Sequence, residues 1–248
     1  MSHRYHYMNS FQSTKRAILE MLKHTTFEDN KLPAETELAK RMRVSVVTLR
    51  QALTALEAEG YITKKQGIGS FVHTHALDPY LRCDMGDNMI DLVRSIGGTV
   101  SVKVKPMHLS QGDERLLQEL KLARDEQFVV LEVYYYSDDQ PYVIAKNYVP
   151  EKYFLKPFTQ DDLPTSIDRL IWEYCERILA YELTTWIPRL MPKDLAEVFE
   201  VDEGSPLLLW HQTVYDTAET AICGTEAFFN PEFGNPRILR KWTSTPEL

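Results

Sequence analysis

The sequence predicts an α+β protein of two domains, and three observations support this. Residues 31–73 contain two amphipathic helices joined by a very short turn and followed at once by a glycine-punctuated hairpin. Beyond residue 87, hairpins outnumber strand–helix–strand crossovers, which indicates a largely antiparallel sheet with packed helices. Charge also changes along the chain: residues 1–75 carry 11 Lys+Arg against 7 Asp+Glu (+4), and residues 76–248 carry 17 against 29 (−12), which gives the net −8. We therefore predict domains at 1–75 and 87–248, joined by a linker at 76–86.

Composition narrows the class of protein. With 248 residues, the chain is long enough for a small module and one larger domain. No apolar run approaches the roughly 20 residues that span a bilayer, and the N-terminus lacks the apolar segment of a signal peptide, so we expect a cytoplasmic protein with no membrane contact. The three cysteines lie far apart and the histidines lack metal-ligand spacing, so we expect neither disulfides, a metal site nor a cofactor.

The second helix of the pair has the features of a helix that reads DNA. Its apolar stripe, at the spacing i, i+3, i+4, i+7, consists of Leu49, Ala52, Leu53 and Leu56. The opposite face is then left with Val47, Arg50, Gln51 and Thr54. A short, polar, cationic face of this kind can lie in a major groove and contact base edges. Ser45 is a good N-cap for this helix, and Gly60 ends it.

A hairpin follows this helix directly. Residues 61–64 and 70–73 read as two short strands, and the turn between them is Lys65, Gln66, Gly67, Ile68 and Gly69. Glycines let the backbone bend tightly and approach a phosphate or a minor groove, with Lys64 and Lys65 beside them. Seen alone, the hairpin is as well explained as an ordinary surface loop. After this helix pair, it indicates the wing of a winged helix-turn-helix.

These residues resemble the GntR family of bacterial transcription regulators. The matching stretches are LPAETELA, SVVTLRQAL, LEAEGYI and KKQGIGSFV. The resemblance implies that Ser45, Thr48 and Arg50 meet the DNA and that the glycine-rich wing enters the minor groove. Family members commonly carry Arg where this chain has Thr36 and Val46. We therefore expect a different operator sequence and a weaker dependence of DNA binding on salt.

The second domain resembles the UTRA effector domain of the HutC subfamily of GntR regulators, whose fold is that of chorismate lyase. The resemblance covers about 160 residues and rests on Asp138-Asp139-Gln140-Pro141, Tyr148-Val149-Pro150, Ser166-Ile167 and Gly204-Ser205-Pro206-Leu207-Leu208. It implies a homodimer and an effector pocket between the sheet and nearby loops. The pocket residues that it implies are Asn88, Val133, Tyr135, Ser166, Cys223 and Thr225.

Two substitutions in this implied pocket bear on the effector. Val133 and Tyr135 stand where the family often has Arg-x-Arg for anionic ligands such as sugar phosphates, and Cys223 stands where it has an acidic residue. Arg binds phosphate with two hydrogen bonds, whereas Val and Tyr form an apolar, aromatic wall with one hydroxyl. The sequence thus disfavours a phosphosugar. Tyr135, Ser166 and Asn88 also have ordinary structural explanations, as a sheet-face aromatic and as helix caps.

The resulting hypothesis is a regulator that binds double-stranded DNA as a homodimer at a palindromic operator. A small-molecule effector would release it, which makes it a repressor. Two alternatives remain open at this point. One is a constitutive DNA-binding protein whose C-terminal domain only dimerises. The other is a chorismate lyase-like enzyme, which is disfavoured because no converging catalytic pair, phosphate loop or nucleophile elbow is present.

Overall fold

The protein consists of two compact units, seen in a computed structural model that describes residues 10–77, 82–84, 88–233 and 237–241. Residues 10–77, 82–84 and 237–241 form the first unit, and residues 88–233 form the second. The expected second domain ran to residue 248, so the structure differs from this expectation in the segment 237–241. Residues 78–81 and 85–87 of the expected linker lie outside the described residues.

The first unit is a three-helix cluster followed by a hairpin. Its helices are α1 (Ser10–His24), α2 (Glu35–Met42) and α3 (Val46–Ala58), and its strands are β1 (Ile62–Lys65) and β2 (Gly69–Val72). The apolar stripe that the sequence predicts for α3 is buried, together with Ile18 of α1 and Leu38 of α2. The three helices therefore share one core, which leaves the other face of α3 at the surface.

Local chemistry sets the tight turn between α2 and α3. Arg43 ends α2 in the left-handed conformation, with φ of 54°. Ser45 then caps α3 as predicted, because its hydroxyl oxygen accepts a hydrogen bond from the Thr48 N–H at 3.0 Å. The two helices are thus joined by only a few residues, as in a helix-turn-helix.

The hairpin is tied to the helices at its base. β1 and β2 pair antiparallel from Ile62↔Val72 to Lys65↔Gly69, one residue away from the predicted bounds. Lys31 forms an additional antiparallel bridge with Phe71, and the Leu32 N–H donates to the Ser70 carbonyl at 2.8 Å. The segment before α2 thus acts as a third short strand, and the glycine-rich tip projects from a fixed base.

The second unit is built on a seven-stranded antiparallel sheet. Its strands are β3 (Val100–Val104), β4 (His108–Gln111), β5 (Gln127–Ser137), β6 (Gln140–Pro150), β7 (Leu179–Leu190), β8 (Pro206–Asp216) and β9 (Ala221–Phe229). Their order is β3-β5-β6-β9-β8-β7, and β4 also pairs with β5. The alternation of valine with polar residues predicts one long strand over 99–109, and this prediction is wrong. The segment divides into β3 and β4 around Pro106, whose ring nitrogen cannot donate to a sheet.

Four short helices accompany this sheet, namely α4 (Met89–Arg94), α5 (Glu114–Glu119), α6 (Ile167–Leu170) and α7 (Lys193–Phe199). A wider, π-helical turn, Ile171–Cys175, continues α6 without a break. The sequence predicts one helix over 165–177, and the structure has a helical segment there that is shorter at both ends. Leu116 and Leu117 of α5 pack against Phe128, while Leu195 and Phe199 of α7 pack in a cluster with Tyr134. Both helices therefore cover the same face of β5, the face of its even-numbered residues.

Candidate functional site

The exposed face of α3 carries the residues predicted to read DNA. The Val47 side chain is 65% exposed, and Arg50, Gln51 and Thr54 are also at the surface. Thr48 lies half-buried at the first turn, where its hydroxyl is 2.8 Å from that of Ser45. These side chains form one surface because the opposite stripe of α3 is fixed in the core.

Arg50 is held in place by a residue of the preceding helix. Its Nε donates to Oε2 of Glu35 at 2.5 Å, and the two side chains are 64% and 32% exposed. The bond uses Nε, so the two terminal amino groups are not engaged by Glu35 and can contact a phosphate or a guanine edge. Thr36, next to Glu35 on α2, is exposed as well. Sequence reasoning missed Glu35 as a partner of Arg50, although an acidic residue in the first turn of α2 was visible.

The wing lies against the same helix. The Lys64 ammonium donates to the Thr54 hydroxyl at 2.8 Å, and the Lys64 N–H donates to the Glu57 carboxylate at 2.7 Å. The Lys65 ammonium lies 4.7 Å from the centre of the Phe71 ring. The tip of the wing is exposed and consists of Gln66, Gly67, Ile68 and Gly69. The structure therefore brings the predicted residues of α3 and of the wing into one cationic surface.

The glycines of the tip are required by its backbone. Gly67 has a φ of 72° and Gly69 a φ of 128°, values that side chains with a Cβ rarely adopt. A Cβ at Gly69 would also lie 3.1 Å from Cε of Lys31. The wing can thus turn within three residues and present its backbone without a bulky side chain at either glycine.

Four of the six predicted effector residues share one face of the sheet. In the register, Val133 lies opposite Ala145 and Tyr135 opposite Val143, while Thr225 lies opposite Asn147. Directly opposite residues point to the same face, so Val133, Tyr135, Cys223 and Thr225 all belong to the face away from α5 and α7. All four side chains are buried.

The other two predicted residues precede short helices. Asn88 caps α4, since its side-chain oxygen accepts from the Asp91 N–H at 3.0 Å. Ser166 stands at the N-cap position of α6, but its side chain makes no capping bond. Tyr135 comes close to Ser166, because its hydroxyl donates to the carbonyl oxygen of Thr165 at 3.2 Å. The structure therefore links Ser166 with the sheet face of Tyr135, and capping explains Asn88.

A row of polar side chains crosses this face, and sequence reasoning found only one of them. The Thr225 hydroxyl donates to Oδ1 of Asn147 at 2.9 Å, and Asn147 Nδ2 donates to the Leu131 carbonyl at 3.1 Å. Gln212, opposite Thr225 in the register, donates to Oε1 of Glu182 at 2.5 Å on the edge strand β7. Asn147, Glu182 and Thr225 lie far apart in the sequence, so only strand pairing places them together.

The strands of this face carry no cationic side chains. On this face, β5, β6, β8 and β9 carry neither Lys nor Arg. Burial raises the pKa of Glu182 above its usual value, although the hydrogen bond from Gln212 acts in the opposite direction. Burial likewise raises the pKa of Cys223 to about 12, so its thiol is protonated at neutral pH. A ligand on this face would therefore meet amides, hydroxyls and aromatic rings.

The opposite face carries the charged groups. It has a depression of about 470 Å³ that includes Arg115, Arg189, Glu226 and Phe228 among its lining residues. The Arg115 guanidinium donates to Oε1 of Glu226 at 2.7 Å, so two of these charges already neutralise each other. The two faces of the sheet thus differ in chemistry, and the predicted effector residues lie on the less charged one.

In the described part of the chain, no group of three His, Cys, Asp or Glu side chains could hold a metal ion. No helix in the same residues is long and apolar enough to cross a membrane.

A capped recognition helix, a wing and a separate antiparallel-sheet unit define a DNA-binding regulator with a second, ligand-binding type of domain. Comparison with known families agrees. Residues 12–72 match the model of bacterial regulatory proteins of the gntR family, and residues 97–233 match that of the UTRA domain. The chain therefore belongs to the GntR-family transcription regulators that carry a UTRA domain, which confirms the predicted family and fold class.

Individual relatives are more distant. The HTH-type transcriptional regulator Rv0792c of Mycobacterium tuberculosis is 25% identical over 188 residues, which cover 75% of this chain and 68% of that protein. The arabinose metabolism transcriptional repressor of Geobacillus stearothermophilus is 50% identical over 44 residues, only 18% of this chain and 12% of that protein. The crystal structure of YydK from Bacillus subtilis, described as a possible transcriptional regulator, shares the fold with a TM-score of 0.75 at 19% identity, over 94% of this chain and 100% of that one.

Proposed function

We propose that this transcription regulator acts as an effector-released repressor of the HutC type, in the cytoplasm and without enzymatic activity. The observation that carries the proposal is the single surface formed by the exposed face of α3 and the lysines of the wing. Such a surface fits a major groove with α3 while the glycine-rich tip reaches the adjacent minor groove. The residues in contact with DNA would be Thr36, Ser45, Val47, Thr48, Arg50, Gln51, Thr54, Lys64, Lys65, Gln66, Gly67 and Gly69.

A charge-matched pair of variants tests the DNA contact. Arg50→Ala should weaken binding to a duplex selected from a random library by the wild-type chain, by about 1–3 kcal/mol, with little effect on binding to random DNA. Arg16→Ala, on the exposed side of α1, removes the same charge and serves as the control. Equal losses for both variants would show that net charge, and not a base contact, governs the affinity.

The proposed repressor is a homodimer, and β7 supports this. β7 is an edge strand whose exposed apolar side chains include Leu183, Trp186 and Leu190. Proteins normally protect long apolar edges with lysine, proline or a covering element, because an exposed edge pairs with other chains. Pairing of β7 with β7 of a second copy would satisfy the unpaired backbone N–H and C=O groups of this edge. It would also give the dimer a two-fold symmetry that matches an inverted-repeat operator.

Light scattering tests the interface. Leu183→Lys should convert the dimer into monomers, because a charge would have to be buried at the edge. Leu155→Lys, at another exposed leucine outside the sheet, should leave the dimer intact. A wild-type chain that is monomeric at micromolar concentration would contradict the proposed dimer.

We further propose that the effector is an uncharged or cationic small molecule that binds near Tyr135, Ser166 and Thr225. The lack of Lys and Arg on this face supports this class over sugar phosphates and carboxylates. The match to the Geobacillus repressor gives no information on the effector, because it covers too little of that protein. A compound present at 100 times its dissociation constant should stabilise the protein by about 2.7 kcal/mol in a thermal-shift screen.

Effector binding would then lower operator affinity by a coupling free energy of about 1–3 kcal/mol. The effect of a bound metabolite on operator affinity distinguishes this proposal from a constitutive DNA-binding protein. A metabolite that stabilises the protein but leaves operator affinity unchanged would favour the constitutive alternative. Turnover of a small aromatic acid without DNA would instead favour the lyase-like enzyme.

A further inference from the structure

The segment 237–241 returns to the first unit and lies beside residues 82–84. Arg237 forms a parallel bridge with Arg82, and the Cys83 N–H donates to the Arg237 carbonyl at 3.0 Å. The Leu239 N–H donates to Oδ1 of Asp84 at 3.4 Å. These bonds hold the segment, named the return segment here, next to the chain that leaves the first unit.

The return segment contacts the C-terminal end of α3. The Lys241 ammonium donates to the carbonyl oxygen of Glu57 in the last turn of α3, at 2.5 Å. Leu239 packs over Gly60 so closely that a Cβ there would lie 2.5 Å from its Cδ2 atom. Gly60 also has a φ of 79°, so glycine is needed both for the backbone and for the contact. Arg82 lies 4.7 Å from the centre of the buried Tyr61 ring.

Glu57 connects this contact with the wing. Its carbonyl oxygen accepts from Lys241, while its carboxylate accepts from the Lys64 N–H at 2.7 Å. Lys64 in turn donates from its ammonium to Thr54 on the exposed face of α3. The return segment is therefore two hydrogen bonds away from the surface that carries the proposed DNA contacts.

We propose that Leu239 and Lys241 are positioning residues for DNA recognition, which set the angle between α3 and the wing. This inference rests on the proposed DNA contact of that surface. The last helical turn of the second unit, Pro231–Phe233, lies only a few residues before Arg237. Along the sequence, the chain passes between the two units after residue 85 and before residue 237, so residues 82–84 and the return segment are the parts of the first unit nearest to these two crossings.

Cys83 offers a readout that needs no DNA. Burial raises the pKa of its thiol to about 12, and its backbone N–H donates a hydrogen bond to the return segment. The thiol should therefore react slowly with an alkylating reagent at pH 8 while the segment is in place. Cys175 and Cys223 are buried in the second unit, and mass spectrometry of peptides separates their signals from that of Cys83.

The test compares neighbouring apolar residues in the full-length chain. Leu239→Ser should accelerate the alkylation of Cys83 by about tenfold through local opening. It should also lower the ratio of affinities for the selected and random duplexes by about tenfold. Ile238→Ser is the matched control, because Ile238 is 58% exposed. Equal behaviour of the two variants, in alkylation and in the affinity ratio, would overturn the proposal.

Two variants of Lys241 distinguish a positioning role from a direct contact with a DNA phosphate. Lys241→Met should lower the affinity ratio, and Lys241→Arg should restore it, since the guanidinium can also donate to the Glu57 carbonyl. A direct phosphate contact would instead weaken binding to both duplexes equally and reduce the salt slope by about one, which would overturn a positioning role. If the wild-type chain binds no DNA, the proposed function fails, but the alkylation of Cys83 still tests the seating of the return segment.

Discussion

Removal of the Glu35 carboxylate should reduce the sequence specificity of DNA binding while it raises the affinity for random DNA. In the wild-type chain this carboxylate holds Arg50 through Nε at 2.5 Å. In Glu35→Ala the Arg50 side chain becomes mobile, so ordering it on the DNA costs about 1–2 kcal/mol of side-chain entropy. The loss of one negative charge near the DNA backbone acts in the opposite direction and on every sequence equally.

The exposure of the Arg50 and Glu35 side chains limits the effect of this variant on folding stability. Because the two side chains are 64% and 32% exposed, the ion pair contributes only about 0.2–1 kcal/mol to folding, and the melting temperature should change little. The affinity ratio between the selected and random duplexes should fall by about tenfold, which corresponds to ~1.4 kcal/mol. In Arg50→Ala, the further change Glu35→Ala should have no effect on this ratio, as expected for a coupled pair.

Fluorescence anisotropy with two duplexes of equal length, at several salt concentrations, measures both affinities. Glu37→Ala is the control, since Glu37 lies on the same helix and forms a similar exposed ion pair with Arg41 at 2.5 Å. Its loss should raise the affinity for both duplexes and leave their ratio unchanged. Equal affinity ratios for Glu35→Ala and Glu37→Ala would show that Glu35 does not position Arg50 for DNA recognition.

Three further predictions concern stability. Leu53→Ala should lower the free energy of unfolding in urea by about 2–5 kcal/mol, because Leu53 is 1% exposed in the core of the first unit; a loss below 1 kcal/mol would contradict that core. Thr225→Val should cost about 1–3 kcal/mol by leaving buried Asn147 without its donor, and Thr184→Val on the exposed edge should cost less. Burial alone would raise the pKa of Asp216, but N–H groups of Thr220 and Ala218 and the Arg177 guanidinium hold it below the usual value. Its ionised form therefore stabilises the fold above the usual Asp pKa, and this contribution is lost as the pH falls through the lower native pKa; urea titrations should show a flatter acid limb for Asp216→Asn.

Local patterns predict the elements of the first unit because their causes lie within a few residues. The stripe of α3 follows from a spacing of three and four residues, and the cap by Ser45 needs only the N–H of Thr48. The turn of the wing follows from its two glycines. The exposed face of α3 is simply what remains after its stripe is buried, so these predicted DNA-contact residues could be identified without tertiary structure.

The second unit was harder to predict because sheet contacts join distant residues. The Asn147–Thr225 hydrogen bond spans 78 residues, and it exists only because β9 pairs with β6 in one register. Resemblance to the UTRA domain is what points to Val133 and Tyr135, while their burial and their shared face with Cys223 depend on the order β5-β6-β9-β8. The segment 99–109 divides into two strands at Pro106, whereas the alternating valines before it are typical of one continuous strand.

The sequence by itself determined the helix-turn-helix, the wing, the basic character of residues 1–75 and the antiparallel nature of the second unit. Each depends on composition or on the spacing of residues that lie close together in the sequence, and both can be recognised without knowledge of the folded structure. Tertiary structure alone decided that Glu35 holds Arg50, that the sheet face of Tyr135 and Thr225 has neither Lys nor Arg on β5, β6, β8 and β9, and that Leu239 contacts Gly60. Such contacts depend on how elements pack after they form, and packing selects partners by shape and hydrogen bonding rather than by distance in sequence.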